Sequence, residues 1–221
     1  MTEQTPAEAW EQRYAESDRV WSGRVNATVA ELVRGLAAES SPGTSLDLGC
    51  GEGGDAIWLA QHGWHATGID LSPTAVARAA QAATERGLTQ STRFVAADLT
   101  TWSGPELYDL VTASFLQSWE PGFPREKILR RGRDRVAVGG RMLVLAHAEA
   151  PPWSKHKIPT HGGDRAESPM FPIPEGDLAA LALDPRRWRT VTAEVRERDA
   201  VGPDGSSAVL RDSIVLVQRL A

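Results

Sequence analysis

Apolar positions recur along this chain in two alternating rhythms. Around residues 7–19, Trp10 and Tyr14 stand four apart and share a helical face. Over 26–36, Val29, Leu32, Val33 and Leu36 repeat at helical spacing, and the run Ser40-Ser41-Pro42-Gly43 ends that segment. Short apolar strands then alternate with helices. Strands are predicted at 44–48, 64–70, 92–97, 108–114 and 141–146. Helices are predicted up to Gln61, over 73–86, from Pro124 to about Val138, and over 175–183. Ser72 caps the second of these, with Pro73 at its first position and Gly87 as its stop. Segments 189–199 and 208–220 flank Gly202-Pro203-Asp204-Gly205 and read as a closing hairpin. The pattern predicts an α/β fold: a doubly wound, mostly parallel, seven-stranded sheet with a C-terminal antiparallel β-hairpin.

One stretch organises the rest. Leu46-Asp47-Leu48 leads into Gly49-Cys50-Gly51-Glu52-Gly53-Gly54, and Ala56-Ile57-Trp58-Leu59-Ala60 continues as a helix. Strand, glycine turn and helix is the order that lets a backbone approach a nucleotide-like ligand. Gly49, Gly51 and Gly54 satisfy the dinucleotide pattern G-x-G-x-x-G. Gly49, Gly51 and Gly53 satisfy the G-x-G-x-G pattern of S-adenosylmethionine (SAM) sites. Asp47 favours the second, because a carboxylate is unwelcome beside a pyrophosphate and suits an ammonium and a sulfonium. A plain dinucleotide fold would also continue with a sixth parallel strand rather than a hairpin. Asp70 lies 21 residues after Gly49, where a carboxylate can accept from a ribose diol. Asp98 follows the third strand, as a turn residue or an acceptor from an adenine amino group.

The bulk numbers narrow the class. With 221 residues, 41% hydrophobic and 24% charged, one domain with a full core is expected. Its expected parts are N-terminal helices or lid (1–40), a ligand-binding core (41–146), a substrate-side loop (147–173) and the final helix and hairpin (174–221). The net charge of −5 disfavours nucleic acid as a partner. Arg125, Lys127, Arg130, Arg131, Arg133 and Arg135 read as a solvated helix face. No membrane span or secretory signal is visible. Cys50, the lone cysteine, excludes an internal disulfide and reads as structural, so a cytoplasmic protein is expected. The oligomeric expectation is a monomer or homodimer. The 147–173 loop holds His147, His156 and His161, too loosely spaced for a metal site. A single histidine there could accept a proton, but none is assigned as catalytic.

These motifs together resemble the class I SAM-dependent methyltransferases, whose fold is Rossmann-like. The resemblance rests on residues 46–53, on Gly68-Ile69-Asp70-Leu71-Ser72, Ala97-Asp98-Leu99 and Tyr108-Asp109-Leu110-Val111, and on Gly139-Gly140-Arg141-Met142-Leu143. Trp10, Tyr14 and Trp21 resemble the N-terminal aromatics of the thiopurine and tellurite-resistance branch, which close over SAM; packing onto the core is the alternative for them. The resemblance implies that Gly49, Cys50 and Gly51 pass the methionine part, with Asp47 nearby. It implies that Asp70 and Leu71 hold the ribose, that Asp98 and Leu99 border the adenine, and that Ser114 and Phe115 flank the methyl-donor end. It further implies methyl transfer to an S, N or O atom of a small molecule, by in-line displacement that depends mainly on positioning and leaves S-adenosylhomocysteine (SAH). The alternatives are an NAD(P)-dependent oxidoreductase using the same glycines, and a tRNA methyltransferase.

Overall fold

A computed structural model of the chain describes residues 5–37, 41–118, 122–154, 171–202 and 205–221. Its helices are α1 (Pro6–Ala15), α2 (Ala27–Ala37), α3 (Gly54–Gln61), α4 (Pro73–Glu85), α5 (Arg125–Arg133) and α6 (Pro174–Leu181). Its strands are β1 (Thr44–Leu48), β2 (His65–Asp70), β3 (Thr92–Ala96), β4 (Tyr108–Ser114), β5 (Val136–His147), β6 (Trp188–Val201) and β7 (Ser207–Arg219). His156, His161 and Trp119 lie outside the described residues.

The seven strands form one sheet in the order β3-β2-β1-β4-β5-β7-β6. From β3 to β5 every pairing is parallel, and β7 runs antiparallel between β5 and β6. The chain winds outward from β1 through β2 and β3, then returns to β1's other side for β4. That reversal opens a crevice at the carboxyl ends of β1 and β4, where open α/β sheets take their ligands. The glycine turn, Asp70, Ser114 and His147 all fall at this edge, because each ends or follows a parallel strand.

The central strands are buried on both faces, and their side chains alternate between two cores. Leu110, Leu143, Leu145, Ile214 and Leu216 pack with Val29, Val33 and Leu59 of α2 and α3. Val111, Met142, Val144, Val215 and Val217 pack with Ile128, Leu129 and Leu181 of α5 and α6. This accounts for the near-continuous apolar reading of β4 and β5.

Local chemistry sets the element ends. Thr5 and Glu8 form a reciprocal capping box at α1. Ser72 caps α4 through Ala75 N–H, as its position predicts. Three expected boundaries are corrected. First, α1 stops at Ala15, with Glu16 as its cap, and does not reach Arg19. Second, α5 ends at Arg133 and not near Val138. β5 already begins at Val136, which is fully buried opposite Tyr108. Gly139-Gly140 is therefore an irregularity inside a strand and not a turn before it. Gly139 is left-handed (φ 82°), and a Cβ on Gly140 would lie 2.9–3.0 Å from three carbonyl oxygens. Third, Ala182 turns left-handed (φ 48°) and closes α6 at Leu181, short of Leu183.

The basic run is also put to a use its composition did not show. Arg130 donates to Ala180 O, Arg131 to Thr101 O, Arg133 to Ala182 O, and Arg125 pairs with the buried Asp177. These guanidinia stitch α5 to its neighbours, and Asp177 offsets the charge of Arg125.

Candidate functional site

The turn after β1 is held open by three left-handed glycines, Gly49 (φ 72°), Gly51 (φ 51°) and Gly53 (φ 81°). Gly49 and Cys50 donate to Ile69 O at 2.8 and 3.0 Å, which fastens the turn to β2. Gly51 N–H donates to Asp70 at 2.8 Å, and Ser72 N–H donates to the other oxygen at 2.9 Å. A side chain on Gly51 would press within 3.0 Å of the Tyr14 hydroxyl. The backbone is thus bare where the sequence predicts close approach.

Carboxylates gather around that turn. Asp47 is 3% exposed and accepts from Thr112 Oγ1 at 2.7 Å. Burial, and next the Asp55 carboxylate, push its pKa up to about 8. Asp55, in the first turn of α3, is also raised by burial, against hydrogen bonds from Asn26 N–H (2.9 Å) and the Ser114 side chain. Asp70 is raised by burial, although backbone N–H groups oppose the shift. Among the described residues, none of the three forms an ion pair, and none belongs to a cluster able to hold a metal ion. Buried carboxylates without a cation are costly, and their surroundings favour a positively charged guest. Burial also lifts the Cys50 thiol well up, with Asp47 and Asp70 adding to it, which fits a packed and unreactive group.

Tyr14 and Trp21 cover the turn. Tyr14 is buried (3% exposed), and its hydroxyl accepts from Trp21 Nε1 at 2.7 Å. Burial, and next Asp70, raise the Tyr14 pKa, so the hydroxyl stays protonated. Trp10 reaches the pair through Tyr14, at 6.2 Å between ring centroids, and Arg13 lies over both tryptophans. Two glutamates hold this segment down. Glu52 accepts from Trp21 N–H (2.9 Å) and pairs with Arg78, while Glu11 accepts from Ser72 and Thr74 at the start of α4.

Not every predicted residue converges. Asp98 is exposed, and its two oxygens accept from Thr100 N–H (2.7 Å) and Thr100 Oγ1 (2.8 Å), a turn-forming arrangement. Leu99 is buried under β1 and β2, and Leu71 is half-buried beside Asp70. Ser114 reaches Asp55. Phe115 adopts a left-handed φ of 52°, which is uncommon for an aromatic residue and places its ring against His147. The Leu116 side chain overhangs Gly49.

Sequence reasoning missed Asp55, Glu52, Asn26 and Glu11. For Asp55 a signal existed: a carboxylate in the first turn of the helix that leaves the glycine loop. It reads as ordinary compensation of the helix dipole. Glu11, Glu52 and Asn26 gain their roles only from contacts across the fold.

Residues 46–140 match a family model described as a methyltransferase domain. A 74-residue stretch is 47% identical to 2-heptyl-1-hydroxyquinolin-4(1H)-one methyltransferase of Mycobacteroides abscessus, covering 34% of this chain and 32% of that protein. Over 176 residues the chain is 30% identical to trans-aconitate 2-methyltransferase of Streptomyces coelicolor, covering 77% of this chain and 50% of that one. The chain thus spans about a third and half of these relatives' lengths. The solved structure of the N-methyltransferase NodS from Bradyrhizobium japonicum, in complex with SAH, superposes with a TM-score of 0.64 over 98% of this chain and 100% of that one. At 17% identity that likeness speaks to the fold. The domain match covers the glycine turn, Asp70, Asp98 and β4, and the seven-stranded, mostly parallel sheet with its C-terminal antiparallel hairpin is the one expected from the sequence. Residues 46–140 thus match a methyltransferase domain, and the chain as a whole has the fold of the NodS structure.

Proposed function

We propose that this chain transfers a methyl group from SAM to an S, N or O atom of a small molecule. The observation that carries the reading is a set of carboxylates, the buried Asp47 and Asp70 and the half-buried Asp55, that have no cationic partner among the described residues and surround a side-chain-free turn. SAM brings an ammonium and a sulfonium to such a site, and when bound it supplies a methyl carbon already activated toward nucleophiles. Gly49, Cys50 and Gly51 would take its methionine part, with Asp47 and Asp55 as counter-charges. Each Asp70 oxygen already accepts one backbone N–H and keeps a lone pair for a ribose hydroxyl. Asp98, Leu99 and Leu71 would border the adenosine, and Trp10, Tyr14 and Trp21 would cover it and exclude water. Ser114 and Phe115 would face the methyl-donor end. The chain's main contribution is alignment of the acceptor, which can supply a large share of a bimolecular rate enhancement. The two small-molecule methyltransferases above support a small acceptor here. The lone cysteine supports a cytoplasmic setting.

Heat denaturation with SAM, SAH and NAD tests the reading. SAM or SAH at 100 times Kd should stabilise the fold by about 2.7 kcal/mol, and NAD should not. Stabilisation by NAD alone rejects the assignment. A methyl-donor assay against thiols, phenols, heteroaromatic amines and tRNA then separates the acceptors, and transfer confined to tRNA rejects the small-molecule part.

A further inference from the structure

Beyond the SAM-facing carboxylates, the crevice edge carries a second built arrangement. His147 ends β5, one strand over from Ser114 and Phe115. Its Nδ1 lies 3.1 Å from Asp212 Oδ1 on β7, a carboxylate only 1% exposed. A carboxylate only accepts, so the imidazole turns an Nδ1–H toward Asp212, and in its neutral form the lone pair is on Nε2. The other Asp212 oxygen is taken by Arg198 of β6, which leaves Oδ1 for the imidazole. Gln117 grips the His147 backbone from both sides, accepting from its N–H (2.8 Å) and donating to its C=O (3.3 Å). The Phe115 ring covers the imidazole at 4.3 Å between centroids, and Arg198 lies over that ring at 5.7 Å. Among the described residues, Nε2 has no hydrogen-bond partner. Arg196 of β6 lies in register opposite Asp212 but pairs with Glu31 and Glu194, and Arg211 faces Glu149 at 4.0 Å.

We propose that His147, oriented by Asp212, is the general base that takes the proton from a hydroxyl acceptor as it is methylated. The proposal rests on the methyltransferase reading and narrows its substrate class to acceptors that keep their proton in neutral water. The acceptor's O–H bond breaks, and its proton forms an N–H bond at Nε2. The released oxygen pair forms the new O–CH3 bond, the C–S bond of the donor breaks with its electrons left on sulfur, and the imidazolium returns its proton to solvent. Such a base commonly contributes about 10²–10⁴-fold. A thiol or an acidic phenol ionises without help and has little use for it. Asp212, Arg198 and Gln117 are positioning residues, and His147 alone touches the substrate.

The test uses the full chain with phenol, 4-nitrophenol and thiophenol as acceptors, comparing wild type with His147→Asn and Asp212→Asn. SAH-dependent heat stabilisation serves as the folding control. His147→Asn should lose at least 100-fold in kcat with phenol, much less with 4-nitrophenol, and less than threefold with thiophenol. Phenol methylation by the variant should recover as pH rises toward phenol's own ionisation. Nitrogen-15 NMR of the unliganded chain should show the Nδ1–H tautomer, and Asp212→Asn should alter it. Equal losses for all three acceptors, a loss below fivefold with phenol, or the Nε2–H tautomer would each overturn the proposal. So would turnover of thiophenol alone, or of none of the three. The methyltransferase reading itself falls only if SAH stabilisation is also absent.

Discussion

Replacing Asp47 with asparagine should make the unliganded protein more stable and its hold on SAM weaker. Burial and the neighbouring Asp55 carboxylate raise Asp47 from 3.8 to about 8. The folded chain therefore keeps this proton at pH values where the unfolded chain has lost it. The stability that comes from the neutral form is complete below about pH 4 and has been lost once pH passes about 8. The full difference corresponds to roughly 6 kcal/mol. Asp47 and Asp55 share that penalty as an interacting pair, so removing one of them returns only part of it. Asparagine can still accept from Thr112 Oγ1, but its amide hydrogens need partners, at a cost of about 1–3 kcal/mol. A net gain of about 2 kcal/mol at pH 8.5 is expected, or roughly 4–8 °C in melting temperature for a chain of this size. At pH 4 the gain should vanish or reverse, because wild-type Asp47 is then neutral as well. SAM affinity should fall about 10–100-fold at pH 8.5, which matches the loss of one charge-assisted contact of about 1.5–3 kcal/mol. Melting curves across pH 4–9 and calorimetric titration with SAM measure both effects. A variant that melts at or below wild type at pH 8.5, or binds SAM within twofold of it, refutes the account of this site as a buried anion awaiting a cation.

Three further outcomes follow from named contacts. Phe115→Gly should be more stable than Phe115→Ala by about 1 kcal/mol, because only the alanine keeps a Cβ at φ 52°; urea titration of the two proteins decides it. Gly51→Ala should abolish SAH-dependent stabilisation, because its Cβ meets Tyr14 and Trp21 at 3.0–3.2 Å and the φ of 51° disfavours it; normal stabilisation would mean that the turn tolerates a side chain. Glu11→Ala should release α1 from α4, raising amide exchange over residues 6–15 while leaving β1 and β4 protected; unchanged exchange would show that Glu11 is not the latch.

The parallel half of the fold was legible because each of its parts is local. Thr44–Leu48 and Tyr108–Ser114 hold the bounds that their apolar runs predict, and α4 runs between a serine cap and a glycine stop. The start of β5 was not legible, because Gly139-Gly140 reads as punctuation unless the three carbonyl oxygens around Gly140 are known. Site residues divide in the same way. Asp47, Asp70 and the glycines sit at strand tips, which the sequence order locates, and Asp98 sits there too but spends its oxygens on Thr100. Asp55 gains meaning only when Ser114 and Asn26 reach it from other elements. The His147–Asp212 pair is the extreme case. Its members are 65 positions apart, and they meet because the antiparallel register of β5 and β7 sets residue 147 opposite residue 212. A shift of one residue in that register would turn Asp212 to the other face of the sheet and leave His147 without its acceptor. The closing hairpin that distinguishes this sheet from a plain dinucleotide fold is thus also what delivers the carboxylate to the crevice. Its function could be read from the sequence only as an added pair of strands, because pairing register is a property of two segments at once and is written in neither alone.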